Sequence, residues 1–166
     1  MRFIAFLLFL LILPITLFIA VLIFSTLRES FIFNQLRVGK NKEEFTIHKF
    51  KTMKNGKITS LGKILRKLGL DEIPQLINVM KNEMSFVGPR PLTQQDIIRL
   101  NWGLDKYAMR WSVKPGITCF AQLSSVCDAA HSMERDLFYV NNKSVKLDVK
   151  IIMQSILVPI KGKRTN

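Results

Sequence analysis

Residues 3–24 read FIAFLLFLLILPITLFIAVLIF, and how this uncharged run is read decides the architecture. As an α-helix it would extend roughly 33 Å at 1.5 Å per residue, enough to cross a bilayer. A cleaved signal peptide fits less well, because the run exceeds a usual apolar region and no A-x-A site follows it. Hydropathy alone supports a single spanning anchor. Pro14, at the middle of the run, supports a different geometry, since it removes a backbone hydrogen bond and bends a helix. Basic residues flank both sides, Arg2 before the run and Arg28, Arg37 and Lys40 after it. The positive-inside rule then favours both ends on the cytoplasmic side, which a bent, re-entrant helix satisfies.

The rest of the chain carries the charge. With 25 Lys and Arg against 12 Asp and Glu, the formal net charge is +13, so the chain seeks an anionic partner. Mean hydropathy is nonetheless positive, because the apolar residues are concentrated at the N-terminus and the charge lies elsewhere. That segregation favours a membrane surface over DNA. Neither a helix-turn-helix nor an aromatic stacking signature supports nucleic-acid binding. Of the two cysteines, Cys119 and Cys127, neither sits in a CxxC pair, and with His48 and His131 they make no Cys/His metal cage.

Along the soluble part, residues 31–33 and 45–50 read as strands joined by the turn residues Gly39 and Asn41, a β-hairpin. After a Lys/Gly-rich turn at 54–57, Leu61, Ile64, Leu65 and Leu68 recur at helical spacing. Thr59 or Ser60 opens that helix and Gly69 ends it. Asp71 is placed to cap a second helix through Leu76, Ile77 and Met80, with Pro74 in its first turn. GPRP at 88–91 and KPGIT at 114–118 read as loops, and the stretch 93–111 between them as helical. A short helix is expected at 133–140. Another at 145–160 either faces the core or lies at an interface, the basic run 161–164 following it.

Three features carry chemistry. Ten basic residues between 35 and 67 face only Glu43 and Glu44, which suits anionic headgroups or a diphosphate. Prolines on both sides of Arg90 restrict its backbone, which suits a preorganised guanidinium clamp on phosphate, or simply a rigid surface turn. Asp71-Glu72 is an acidic pair in a basic setting. It can serve as a helix cap that complements the dipole, or as a carboxylate that binds Mg²⁺ or attacks phosphorus. Local arguments leave those two open.

Taken together, the segments resemble the monotopic phosphoglycosyl transferases, also called bacterial sugar transferases. The resemblance is carried by Gln35-x-Arg37-x-Gly39, Lys49-Phe50-Lys51-Thr52-Met53, Leu61-Gly62-x-x-Leu65-Arg66 and Leu70-Asp71-Glu72-x-Pro74-Gln75-Leu76. It continues through Met84-Ser85-Phe86-Val87-Gly88-Pro89-Arg90-Pro91, Lys114-Pro115-Gly116-Ile117-Thr118 with Ala121-Gln122, and Asp136-x-x-Tyr139. It implies transfer of a sugar-1-phosphate from a UDP-sugar to polyprenyl (undecaprenyl) phosphate with release of UMP. The roles it implies are Asp71 as nucleophile and metal ligand, Glu72 as its partner, and Mg²⁺ as cofactor. Arg90 would hold phosphate, with Lys51, Arg66, Arg37, Gln122 and Asp136 as further substrate contacts. Pro14 would mark the re-entrant break, Leu13 standing where the family's serine does and Thr16 offering a hydroxyl nearby. The chain departs from the pattern at Cys119, where glycine is usual, and in lacking the Asn-Gly-Arg stretch that normally follows. Both departures bear on nucleotide or sugar contacts.

The expected fold is α+β: a re-entrant membrane helix hairpin over residues 1–27, then a small, mainly helical cytoplasmic catalytic domain over 28–166. That domain would carry a short β-hairpin and amphipathic interfacial helices, at the cytoplasmic face of a bacterial inner membrane. Its expected partners are the UDP-sugar, the polyprenyl phosphate and membrane lipid, with no nucleic acid. The competing expectation is a membrane-anchored inactive relative with a binding or assembly role.

Overall fold

The computed structural model of the protein describes residues 2–124 and 128–157. Cys127 and the basic run 161–164 lie outside the described residues. The chain divides into two compact units, Met1–Gln35 with Ile47–Asn82, and Leu36–Thr46 with Glu83–Asn166.

The first unit begins with α1 (Arg2–Leu27), 26 residues with Pro14 inside the helix. It is long and apolar enough to cross a membrane. Proline cannot donate to the carbonyl four residues back, yet the helix continues across it. Two residues on, the Thr16 hydroxyl donates to the carbonyl of Ile12 at 2.9 Å. Phe3, Leu11, Phe18, Val21 and Phe24 are exposed, whereas Ile19, Ile23 and Leu27 are buried. These last residues join Phe50 and Leu65 in one apolar cluster, flanked by Leu61, Leu70 and Ile73. The end of α1 is fastened by Lys54, whose Nζ donates to the Leu27 carbonyl at 2.8 Å, a cation at the negative end of the helix dipole.

Strands β1 (Ile32–Val38) and β2 (Glu44–Phe50) pair in a two-stranded sheet. The turn between them passes through Asn41 and Lys42 at positive φ. A second, minimal hairpin joins β3 (Met53–Lys54) to antiparallel β4 (Lys57–Ile58). Its two turn residues are Asn55 and Gly56, at φ 50° and 74°, the left-handed pair that matches strand twist. In α2 (Ser60–Leu68) the cap is Thr59, which accepts from the Gly62 N–H at 2.9 Å. Gly69 closes the helix in the left-handed region at φ 73°.

Beyond Gly69 the expectation of an Asp71-capped helix is corrected. Residues Leu70–Gln75 form a 3₁₀ turn with Asp71 inside its first turn, and only then does α3 (Leu76–Met80) begin. Pro74 supplies the reason. Its ring disfavours α geometry at Ile73, the residue before it.

In the second unit, β5 (Ser85–Val87) pairs in parallel with a later strand, β6 (Gly116–Thr118), in the register Ser85↔Gly116 and Val87↔Thr118. The stretch 93–111 is not one helix. The helix α4 (Gln94–Leu100) opens on a Thr93–Asp96 capping box and ends at Asn101, φ 54°. A 3₁₀ stretch, Asp105–Ser112, follows. Asp128 caps α5 (Ala129–Asn141), and α6 (Val145–Leu157) completes the described chain. One core gathers Val38, Leu92, Ile97, Trp102, Trp111 and Met133. The other gathers Val87, Tyr139 and Ile151, with Leu147 and Ile152 against it. Thus α6 faces the core through Ile151, while Val145, Val149, Met153 and Ile156 form an exposed apolar stripe.

Two close approaches hold these frameworks. A Cβ on Gly62 would stand 2.1 Å from the Thr52 carbonyl oxygen, and one on Gly116 would stand 2.1 Å from the Gly88 nitrogen. The Gly62→Ala variant must displace α2 or the Thr52 carbonyl, and is expected to lose about 1–3 kcal/mol of stability. Thermal unfolding followed by tryptophan fluorescence measures this, and a wild-type midpoint would contradict the close approach.

Candidate functional site

The carboxylates stand in the first unit. Asp71 and Glu72 are half-buried on the 3₁₀ turn that leaves Gly69. Lys49, on β2, places its Nζ 3.0 Å from Glu72 Oε1, with both side chains about four-fifths removed from solvent (20% and 17% exposed). The lysine offsets one of the two adjacent negative charges and fixes the side chain that carries it. Lys49, quoted in the motif 49–53, was given no site role in the sequence. Period two along β2 holds the signal, because it sets Lys49 on the same face as the buried Phe45 and Ile47. Lys51, which was singled out, instead forms an ion pair with Glu29 just beyond α1. Arg66 is half-buried and donates through Nε to the Thr52 hydroxyl at 2.9 Å, which ties α2 to the residue after Lys51.

The second unit holds Arg37, Arg90 and Arg110. Its GPRP loop is shaped by carbonyl acceptors. Gly116 N–H donates to Pro89 O at 3.0 Å, Arg37 Nη1 to Pro91 O at 3.3 Å, and Gly88 N–H to Thr118 O at 3.1 Å. Pro89 and Pro91 are buried and Arg90 between them is exposed. Among the described residues no carboxylate pairs with Arg90. Arg37 lies close enough to feel it. Burial first, and the like charge of Arg90 second, lower the Arg37 pKa from its ordinary value, against the pull of Asp96 3.7 Å away. Two neighbouring guanidiniums with one offsetting carboxylate leave an excess of positive charge, which suits an anion.

Beneath the loop lies Arg110, which sequence reasoning missed. It is 2% exposed. Its Nε donates to Asp136 Oδ2 at 2.9 Å and its Nη2 to the Arg90 carbonyl at 2.7 Å. The rings of Trp111 and Trp102 lie 4.6 and 5.2 Å from the guanidinium carbon. Asp136 is itself buried, and desolvation raises its pKa although Arg110 and the Cys119 thiol pull the other way. Three residues along α5, Tyr139 donates its hydroxyl to Asp148 at 2.8 Å and lies 3.1 Å from the Val87 carbonyl. Gln122 is exposed on the short 3₁₀ turn Ala121–Leu123. The structure therefore joins Glu72 to Lys49, Arg37 to Arg90, and Asp136 to Arg110, and it leaves Lys51 and Gln122 outside these groupings.

Among the described residues no three His, Cys, Asp or Glu side chains gather as a metal cage. Mg²⁺ ordinarily takes one or two carboxylates together with substrate phosphates, and the Asp71-Glu72 pair fits that donor set.

A mixed helix-and-strand chain with one membrane-length apolar helix, an acidic pair and a paired-arginine loop is the class defined so far. The family model described as "Bacterial sugar transferase" matches residues 2–162. The chain is 38% identical over 138 residues to the uncharacterized sugar transferase EpsL of Bacillus subtilis, covering 75% of this chain and 67% of that one. It is 34% identical to the UDP-N-acetylgalactosamine-undecaprenyl-phosphate N-acetylgalactosaminephosphotransferase of Aeromonas hydrophila, over 90% of this chain and 40% of that one. It is 35% identical to the UDP-glucose:undecaprenyl-phosphate glucose-1-phosphate transferase of Klebsiella pneumoniae, over 90% of this chain and 37% of that one. The protein belongs to the bacterial sugar transferase family, and spans about two fifths of the length of these last two relatives.

Burial, and then the charge of Asp136, push the Cys119 thiol up to about 12, so its thiolate is scarce at neutral pH. In a Cys127→Ser variant, iodoacetamide at pH 8 is expected to leave the native protein unlabelled and to label it fully in detergent denaturant. Rapid labelling of the native protein, read by intact mass, would contradict this burial.

Proposed function

We propose that the protein transfers a sugar-1-phosphate from a UDP-sugar to undecaprenyl phosphate, releasing UMP, with Asp71 as the nucleophile. The reading is supported by family membership, by the activities named for the Aeromonas and Klebsiella relatives, and most directly by one geometric observation. That observation is the half-buried acidic pair whose second member is held by Lys49 at 3.0 Å. Asp71 lies inside the first turn of the 3₁₀ segment and not at its cap, a position that Gly69 holds.

The Asp71 carboxylate attacks the sugar-bearing phosphorus, forming an aspartyl–phosphorus bond as the bridging P–O bond breaks, and UMP leaves with that bonding pair. A phosphate oxygen of undecaprenyl phosphate then attacks the same phosphorus. The aspartyl bond breaks, the carboxylate is regenerated, and the product is the undecaprenyl diphosphate sugar. Glu72, fixed by Lys49, stands beside the nucleophile throughout. Arg37 and Arg90 are assigned to the phosphate oxygens of the substrates. Mg²⁺, held by Asp71 with Glu72 beside it, would neutralise diphosphate charge.

The N-terminal helix is assigned to the membrane with both ends on the cytoplasmic side, on the basis of Pro14 and the basic flanks. The exposed stripe of α6 is assigned to the lipid interface, with Lys146 and Lys150 beside it.

Asp71→Asn and Asp71→Ala are expected to reduce UMP release by about 10³-fold or more, and to form no phosphosugar adduct when UDP-sugar is supplied without acceptor. Intact mass spectrometry reads the adduct, and an Asn variant with wild-type turnover would refute the nucleophile. Cysteines placed beside Arg2 and Arg28 in a cysteine-free background should react with an impermeant maleimide from the same face of inverted membrane vesicles. Labelling from opposite faces would restore a crossing helix.

A further inference from the structure

Asp136 has the burial and partners of a strut. We propose that Asp136, Cys119 and Arg110 form a buried relay that fixes the backbone of Arg90, so that Asp136 governs phosphate binding without touching the substrate. The inference rests on the reading of Arg90 as a phosphate-holding residue.

Asp136 is 2% exposed, and both of its oxygens are engaged. Arg110 Nε lies 2.9 Å from Oδ2, and the Cys119 thiol lies 3.5 Å from Oδ1. Both oxygens are thus turned into the interior, away from solvent and from any ligand that would enter from it. The other end of the relay is directed at the site. Arg110 Nη2 donates to the carbonyl of Arg90 itself, at 2.7 Å. A guanidinium is a rigid plane, so fixing Nε on a carboxylate fixes Nη2 as well. Trp111 and Trp102 over the same group restrict its remaining freedom.

The other loop carbonyls explain why this contact matters. Pro89 O is held by the Gly116 backbone, and Pro91 O by Arg37, itself one of the site's two arginines. Arg90 O, among the described residues, is held by the Arg110 side chain, whose position is set by Asp136. With Pro89 and Pro91 constraining the backbone, the carbonyl orientation determines where the Arg90 side chain departs. Cys119 is this chain's own contribution, for a glycine there would have no atom to offer Oδ1.

The test is UDP affinity of the full chain in detergent with Mg²⁺, measured by calorimetry on a double-mutant cycle. Asp136→Asn should weaken UDP about tenfold in the native background, and should weaken it no further in an Arg90→Ala background. Equal weakening in both backgrounds would mean that Asp136 acts independently of Arg90, and would overturn the relay. If Arg90→Ala binds UDP like wild type, the phosphate role of Arg90 fails and the relay fails with it. Should Asp136→Asn not fold, Cys119 decides the matter. Cys119→Ala should weaken UDP about threefold, and Cys119→Ser, which keeps a donor, should stay within about twofold of wild type. An Ala variant with wild-type affinity, or one whose deficit persists undiminished in the Arg90→Ala background, would overturn the proposal.

Discussion

A guanidinium buried with two indole rings nearby has few tolerable states, and the second unit is organised around the one that Arg110 adopts. Removing a charge of that size from water costs several kcal/mol unless it is paired and its N–H groups are satisfied. Asp136 supplies the pairing and the Arg90 carbonyl a further acceptor. The Cys119 thiol occupies the remaining carboxylate oxygen. Removing any one of these would leave a buried polar group exposed to that cost, so the 3₁₀ stretch carrying Arg110, the helix α5 carrying Asp136 and the GPRP loop are constrained together. Below them Tyr139 ties α5 to β5 at Val87 and to α6 at Asp148. The Asp136-x-x-Tyr139 spacing puts both groups on one side of α5, Asp136 reaching the loop through Arg110 and Tyr139 reaching the strand that leads into it.

The first unit solves a different problem, that of holding two adjacent carboxylates. Gly69 closes α2 at positive φ, and the pair falls on the 3₁₀ turn that follows, before α3 begins. What remains is a tight turn with Lys49 close by. The protein spends its positive charge in the same economical way elsewhere, placing Lys51 on Glu29 and Lys54 on a helix end. A net charge of +13 is therefore not one solvated face, because several of the cations have definite structural partners.

Much of the local structure was legible in the residues. The Thr59 cap, the Gly69 stop and the Asn55-Gly56 turn each follow from conformational preferences that neighbours do not override. The Asp71 turn was misread because a proline in a first helical turn is tolerated in general, while here Ile73, restricted by that proline, lies inside a 3₁₀ turn that delays α3 to Leu76. Lys49 and Lys51 flank one phenylalanine, and only the tertiary fold shows which of them meets Glu72 and which meets Glu29. Arg110 was invisible for the opposite reason. A buried arginine has no local signature, and its role comes from Asp136, 26 residues away in the chain.

The fastening of α1 has a mechanical meaning. Its last carbonyl is held by Lys54, two residues beyond Thr52, whose own oxygen atoms meet the first turn of α2 and the Arg66 side chain. The far end of α2 is Gly69, where the carboxylate turn begins. The path from the apolar helix to Asp71 thus consists of short, stiff contacts with no linker in it. With the helix in lipid, as proposed, such a path would work as a depth gauge, since a tilt or vertical shift of the helix would move the acidic pair with it. The height of the carboxylates above the bilayer would then be built into the fold and would not have to be found anew in each encounter.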